Sequence, residues 1–140
     1  MNDRARMRVA AAAAILLPLA LFAVMTAQGI GLNDDSAVYF RGAENPGEGM
    51  STYQAPLYYL LLRAVAPLGG SMAAAAWCIS AAGLAASAAA VWRLSAREGR
   101  APWLRLAMTW TLTLAHLHQM LFVYAQTEAA YFPALLWTLS

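Results

Sequence analysis

Lysine is missing from this chain: all nine basic residues are Arg. Charge of either sign is scarce, at 11% of residues, against about 25% in a typical soluble domain. A net charge of +2, scattered along the chain, makes no basic stripe able to track a phosphate backbone, so nucleic-acid binding is not expected. A lone cysteine, Cys78, excludes an intrachain disulfide and any Cys-pair metal site. It sits in an apolar run and is expected to act as a small packing side chain. No Gly-rich phosphate loop, nucleophile elbow or zinc signature occurs.

What is abundant is apolar surface. Hydrophobic residues make up 61% of the chain. In water such a chain would expose large apolar patches, so lipid is the expected solvent. Val9 to Ala27 carries no charge and follows Arg4, Arg6 and Arg8. As a helix it would be about 28 Å long, close to the hydrocarbon thickness. Its positive flank places the N-terminus in the cytoplasm. A cleaved signal peptide is the competing reading, but the apolar core is long for one and Met25-Thr26-Ala27 is a poor cleavage site. A second span is expected over 72–92. There Ala82, Ala86 and Ala90 form a small-residue ladder, which predicts a helix packed inside a bundle. Arg93, Arg97, Arg100 and Arg105 against Glu98 mark the following connection as cytoplasmic. A third span is expected over 103–123 and a fourth over 129–140. The fourth is too short to cross a bilayer, which takes roughly 20 residues, so the chain reads as the N-terminal part of a longer protein and is not expected to be active alone.

The expected fold is therefore all-α: a single polytopic membrane domain with about four transmembrane helices, the last incomplete. An outer loop over 28–71 separates the first two spans. Its Asn45-Pro46-Gly47-Glu48-Gly49 stretch has turn chemistry. Asp34-Asp35-Ser36 are placed to cap a short helix through Val38-Tyr39-Phe40. Pro56 to Pro67 is too short to span and reads as an interfacial or re-entrant segment. The stretch up to Ala55 exceeds the length at which structureless connections become uncommon, and such loops often carry function.

Loop parity brings Asp34, Asp35 and Glu128 to the outer side. Asp35 is a candidate general base for a hydroxyl acceptor, or else a solvated cap. Glu128, at the start of the last apolar segment, is either a helix N-terminal acid or a functional one. Arg63 can meet a phosphate or snorkel to the interface. Tyr39, Tyr58 and Tyr59 can stack on a sugar or prenyl group, or serve as interfacial tyrosines. His116 and His118 are two apart and so face different ways on a helix, which argues against a shared metal. The sequence names no cofactor and leaves a divalent metal open.

Three of these features occur together in a known pattern. A first membrane helix, then Asp-x-x-x-Tyr (Asp35 to Tyr39), then Gln54-Ala55-Pro56-Leu57-Tyr58-Tyr59 resembles the start of GT-C glycosyltransferases. The protein O-mannosyltransferase-like and aminoarabinose-transferase-like families are the nearest in pattern, and Thr127-Glu128 resembles the acid that opens a later helix in them. The resemblance implies an inner-membrane transferase. It would take a sugar from a polyprenyl-phosphate donor and pass it, with inversion, to a glycan, lipid or protein acceptor outside. Asp35 would then be the base and Asp34 the fallback. Glu128, Tyr39, Gln54, Tyr58, Tyr59 and Arg63 would contact substrate. The chain departs from the pattern at Ser36, where Glu is common, at Ala55, where Pro is common, and at Gln54, where a phosphate-binding Lys can stand. The alternative is a non-enzymatic membrane subunit or assembly factor whose outer loop binds a partner.

Overall fold

The computed structural model describes residues 2–32, 34–45, 56–115 and 128–140. Among the described residues the chain is all-helical: α1 (Asp3–Met25), α2 (Asp34–Glu44), α3 (Pro56–Gly69), α4 (Met72–Arg97), α5 (Pro102–Leu114) and α6 (Glu128–Leu139). Helices α1 and α4 are long and apolar enough to cross a bilayer. The region expected as one outer loop contains two of the six helices.

The first helix starts earlier than its apolar run suggests. Asn2 accepts a hydrogen bond from the Ala5 N–H at 2.9 Å. Asp3 adds a carboxylate in the first turn, where the helix dipole favours it. Arg4, Arg6 and Arg8, the positive flank, are therefore part of the helix. Only Ala14, Pro18 and Phe22 are buried along α1, a stripe at spacing four. Leu16, Leu17, Leu21 and Val24 on its other faces are exposed. Apolar side chains turned outward along one helix mark a surface made for lipid or for another chain.

Helix α4 is the hub and packs against α1, α3, α5 and α6. Small buried residues, largely other than the Ala82–Ala86–Ala90 ladder, explain how one helix can have so many neighbours. Ala75, Ala76, Ser80, Gly83, Ser87, Ala88 and Ala90 are all buried, and they let neighbouring backbones approach closely. At Ala86 the approach is close enough for the Trp137 indole N–H of α6 to donate to the Ala86 carbonyl at 3.1 Å. Ser87 and Ser95 donate back to the Gly83 and Val91 carbonyls at 2.9 Å, so their hydroxyls add no unsatisfied group to an apolar interface. Between α3 and α4 the chain reverses within two residues. Gly70 takes φ +75°, a conformation costly for other residues. Ser71 then caps α4 by accepting from the Ala74 N–H at 3.1 Å.

Long-range contacts set the helix directions. At one end, Thr26, the C-cap of α1, accepts from the Trp77 indole N–H of α4 at 2.8 Å, and the Phe22 and Trp77 rings lie 5.5 Å apart. At the other end, Arg105 of α5 donates to the Met7 sulfur of α1 at 3.3 Å and to the Trp92 carbonyl of α4 at 3.2 Å. Its guanidinium stacks 4.0 Å from the centre of the Trp92 ring. Midway, the Trp110 N–H donates to the Ala13 carbonyl at 3.2 Å. So α1 and α5 run one way, and α4 and α6 the other. Thr26 also donates to the Phe22 carbonyl at 2.7 Å, which aims its lone pair at Trp77. Thr26→Val keeps the shape but leaves the indole without that acceptor. It is expected to lower stability by about 1 kcal/mol, read as a lower unfolding midpoint in detergent.

Candidate functional site

The end of the bundle where α1 finishes and α4 begins also carries α2, α3 and the first turn of α6. Asp34 and Asp35 open α2, and Glu128 opens α6. Carboxylates at helix N-termini are favoured by the exposed N–H groups and the dipole. The next residue, Ala129, is buried in the same apolar cluster as Tyr39, Tyr58, Tyr59 and Leu62. Tyr39 and Ala129 therefore belong to one apolar cluster, although about 90 residues of sequence separate them.

The tyrosines hold that unit together. Tyr58 and Tyr59 of α3 are 0% and 2% exposed. Tyr39 of α2 meets both edge-on, with ring centres 5.2 Å and 5.3 Å away. Such pairs contribute about 0.5–1.5 kcal/mol each beyond their buried area. Their rings form the interface between α2 and α3, so they position the acids rather than present a stacking surface. Burial, and then the neighbouring Tyr39 phenol, push the Tyr59 phenol above its ordinary value. It stays a neutral hydroxyl at physiological pH.

Asp35 is exposed and Ser36 beside it is fully buried. The position where the resembled families commonly have Glu thus faces the core here, and the free carboxylate is the residue before it. Arg63 is exposed on α3. Gln54, His116 and His118 lie outside the described residues. Among the described residues no three His, Cys, Asp or Glu side chains gather as a metal site would require.

Beneath the tyrosine cluster, a cleft of about 450 Å³ opens between α3, α4 and α6. Leu61 and Val65 form one wall, Ala82 and Ala86 the floor, and Ala130 and Pro133 the other wall. Its lining is almost wholly apolar, and Asp35 is not part of it. Cys78, expected to be packed away, is exposed and lines this cleft.

Sequence reasoning passed over Gly42. A Cβ built there would run into the Tyr59 ring, reaching even its Cζ at 3.0 Å. The signal available was a glycine in the middle of a short helix, which costs about 1 kcal/mol relative to Ala unless packing demands it. The Thr26–Trp77 and Arg105–Trp92 contacts were also passed over, since neither residue type nor periodicity announces them.

No family model, curated protein or solved structure matches this chain.

Proposed function

We propose that this chain works in a membrane as a glycosyltransferase, moving a sugar from a polyprenyl-phosphate donor to an acceptor hydroxyl on the outer face. The observation that supports the reading is the buried cluster that Tyr39 of α2 shares with Tyr58, Tyr59 and Ala129, the residue after Glu128, with Asp35 exposed at the start of α2. The arginine-rich end is opposite. Arg4, Arg6 and Arg8 begin α1, and Arg93 and Arg97 end α4, so the positive-inside preference assigns the acidic end to the outside. Helix α3 fits a place at the interface, with Leu60 and Leu68 exposed on it beside Arg63.

In this mechanism Asp35 takes the proton from the acceptor hydroxyl as that oxygen attacks the anomeric carbon. The bond from that carbon to the phosphate oxygen breaks, and polyprenyl phosphate leaves with the electron pair. Attack opposite the leaving group inverts the configuration. Arg63 is the cation on α3 for the departing phosphate. The apolar cleft between α3, α4 and α6 takes part of the prenyl chain. Tyr39, Tyr58 and Tyr59 act by fixing α2.

The test is transfer itself. Membranes carrying this sequence within its complete reading frame are given a panel of labelled polyprenyl-phosphate hexoses and pentoses, and labelled product is sought on the outer face. Transfer from at least one donor, absent from membranes without the chain, is the expected result. Absence of transfer across the panel, with the chain inserted, overturns the reading in favour of a binding subunit.

A further inference from the structure

A second crevice lies at the opposite, arginine-rich end of the molecule, between α4, α5 and α6. It encloses about 260 Å³. Leu94, Met108, Leu112 and Leu136 wall its shaft, and Glu98 and Arg100 stand at its mouth. The form is that of an amphiphile's site: an apolar shaft with a charged rim. One turn of α-helix, about 10 Å across and 5.4 Å long, fills roughly 400 Å³. The crevice is too small for a partner helix, but a single unbranched alkyl chain is thin enough to enter.

Charge selects the headgroup. The two groups at the rim pair with each other, Arg100 to Glu98 at 3.6 Å, and both are at least half exposed. An exposed pair of this kind contributes only about 0–1 kcal/mol, so Arg100 can turn to a stronger anion at little cost. Arg97 is exposed on the same helix end. Arg93 is held over the Trp137 ring, 4.6 Å from its centre. Seven of the nine arginines belong to this end, and among the described residues only two acids do, Asp3 and Glu98. Basic pockets between helices on the cytoplasmic side suit anionic headgroups.

We propose that this crevice is a binding site for an anionic phospholipid of the cytoplasmic leaflet, with one acyl chain in the shaft and the phosphate at Arg100 and Arg97. The proposal rests on the membrane reading above but not on sugar transfer, and it concerns the face opposite Asp35. A lipid seated there would brace α6 against α4 and α5 on the side where Trp137 and Arg93 already join α6 to α4.

The test uses the full chain purified in detergent and offered phosphatidylglycerol, phosphatidylcholine or glycerophosphate, with bound molecules counted by native mass spectrometry. Phosphatidylglycerol is expected to be retained over phosphatidylcholine, and Arg100→Gln to reduce that retention about fivefold. Leu136→Trp, which fills the shaft, is expected to remove it. Met108→Phe fills the shaft from the other wall and serves if Leu136→Trp loses helicity by circular dichroism. Equal retention of the two lipids overturns anionic recognition. Retention unaffected by a folded shaft-filling variant, or matched by glycerophosphate, overturns the crevice as the site. Release of the chain from membranes by alkaline carbonate would instead strike at the membrane reading, and it is scored separately.

Discussion

Asp35→Asn is expected to abolish sugar transfer while leaving the protein inserted and at normal abundance. General-base catalysis contributes typically 10²–10⁴-fold, so a loss of at least about a hundredfold in rate is the expected size. The amide keeps the shape of the carboxylate but cannot take the acceptor proton. Structural cost is small because Asp35 is exposed on the first turn of α2. What the fold loses is one carboxylate near a helix N-terminus, about 0.3–1 kcal/mol. The comparison variant is Asp34→Asn, which alters the same helix start and should leave transfer within a few-fold of normal. A reversed outcome, with Asp34→Asn inactive and Asp35→Asn active, moves the base by one residue. Two active variants remove the acids of α2 from the chemistry.

That prediction depends on geometry only partly readable from the residues. Two of the four expected spans, α1 and α4, are helices long and apolar enough to cross a bilayer, whereas α5 covers Pro102–Leu114 of the expected 103–123 and the rest of that stretch lies outside the described residues. Helix α4 is the one that others pack on, but of the Ala ladder of 82, 86 and 90 only Ala90 is buried, and Ala82 and Ala86 line the cleft; the packed small residues are Ala75, Ala76, Ser80, Gly83, Ser87 and Ala88. Boundaries are less legible. Helix α1 reaches back to Asp3 because the Asn2 cap and Asp3 outweigh the polarity of the arginines beside them. Asp34 to Ser36 does open a helix, but it runs to Glu44, well past the Phe40 that the apolar pattern reaches. Its continuation through Arg41, Gly42 and Ala43 is set by contact with α3, a tertiary effect that local propensity does not encode. The tyrosines illustrate the same limit. Tyr39, Tyr58 and Tyr59 look alike at an interface or in a core, and only the pairing of α2 with α3 decides between them. Arg105 was counted as a topological marker. In the structure it is nearly buried and joins three helices through Trp92 and Met7.

Gly42→Val is expected to have the largest effect on the site without touching a charged residue. The Tyr59 ring lies so close to the Gly42 Cα that even a Cβ demands movement. The ring cannot swing away, because Tyr59 is 2% exposed and held edge-on by Tyr39. Overpacking of this kind typically costs about 1–3 kcal/mol. Among the described elements, helix α2 has α3 as its one major neighbour, so that cost falls on one small interface. The expected result is an α2 that lifts from α3. Limited proteolysis within residues 34–45 would speed up, and transfer would fall with Asp35 chemically intact. The α4 hub should hold, since its contacts with α1, α5 and α6 lie elsewhere. Because the cause is steric, it has a specific remedy. Tyr59→Leu in the Gly42→Val background makes room for the new side chain. The double variant should regain protection and part of the activity, giving a coupling energy within the roughly 0.5–3 kcal/mol seen for residues in contact. A merely intolerant helix would show no such rescue. Strict additivity of the two substitutions would mean that the Gly42–Tyr59 contact does not hold Asp35 in place.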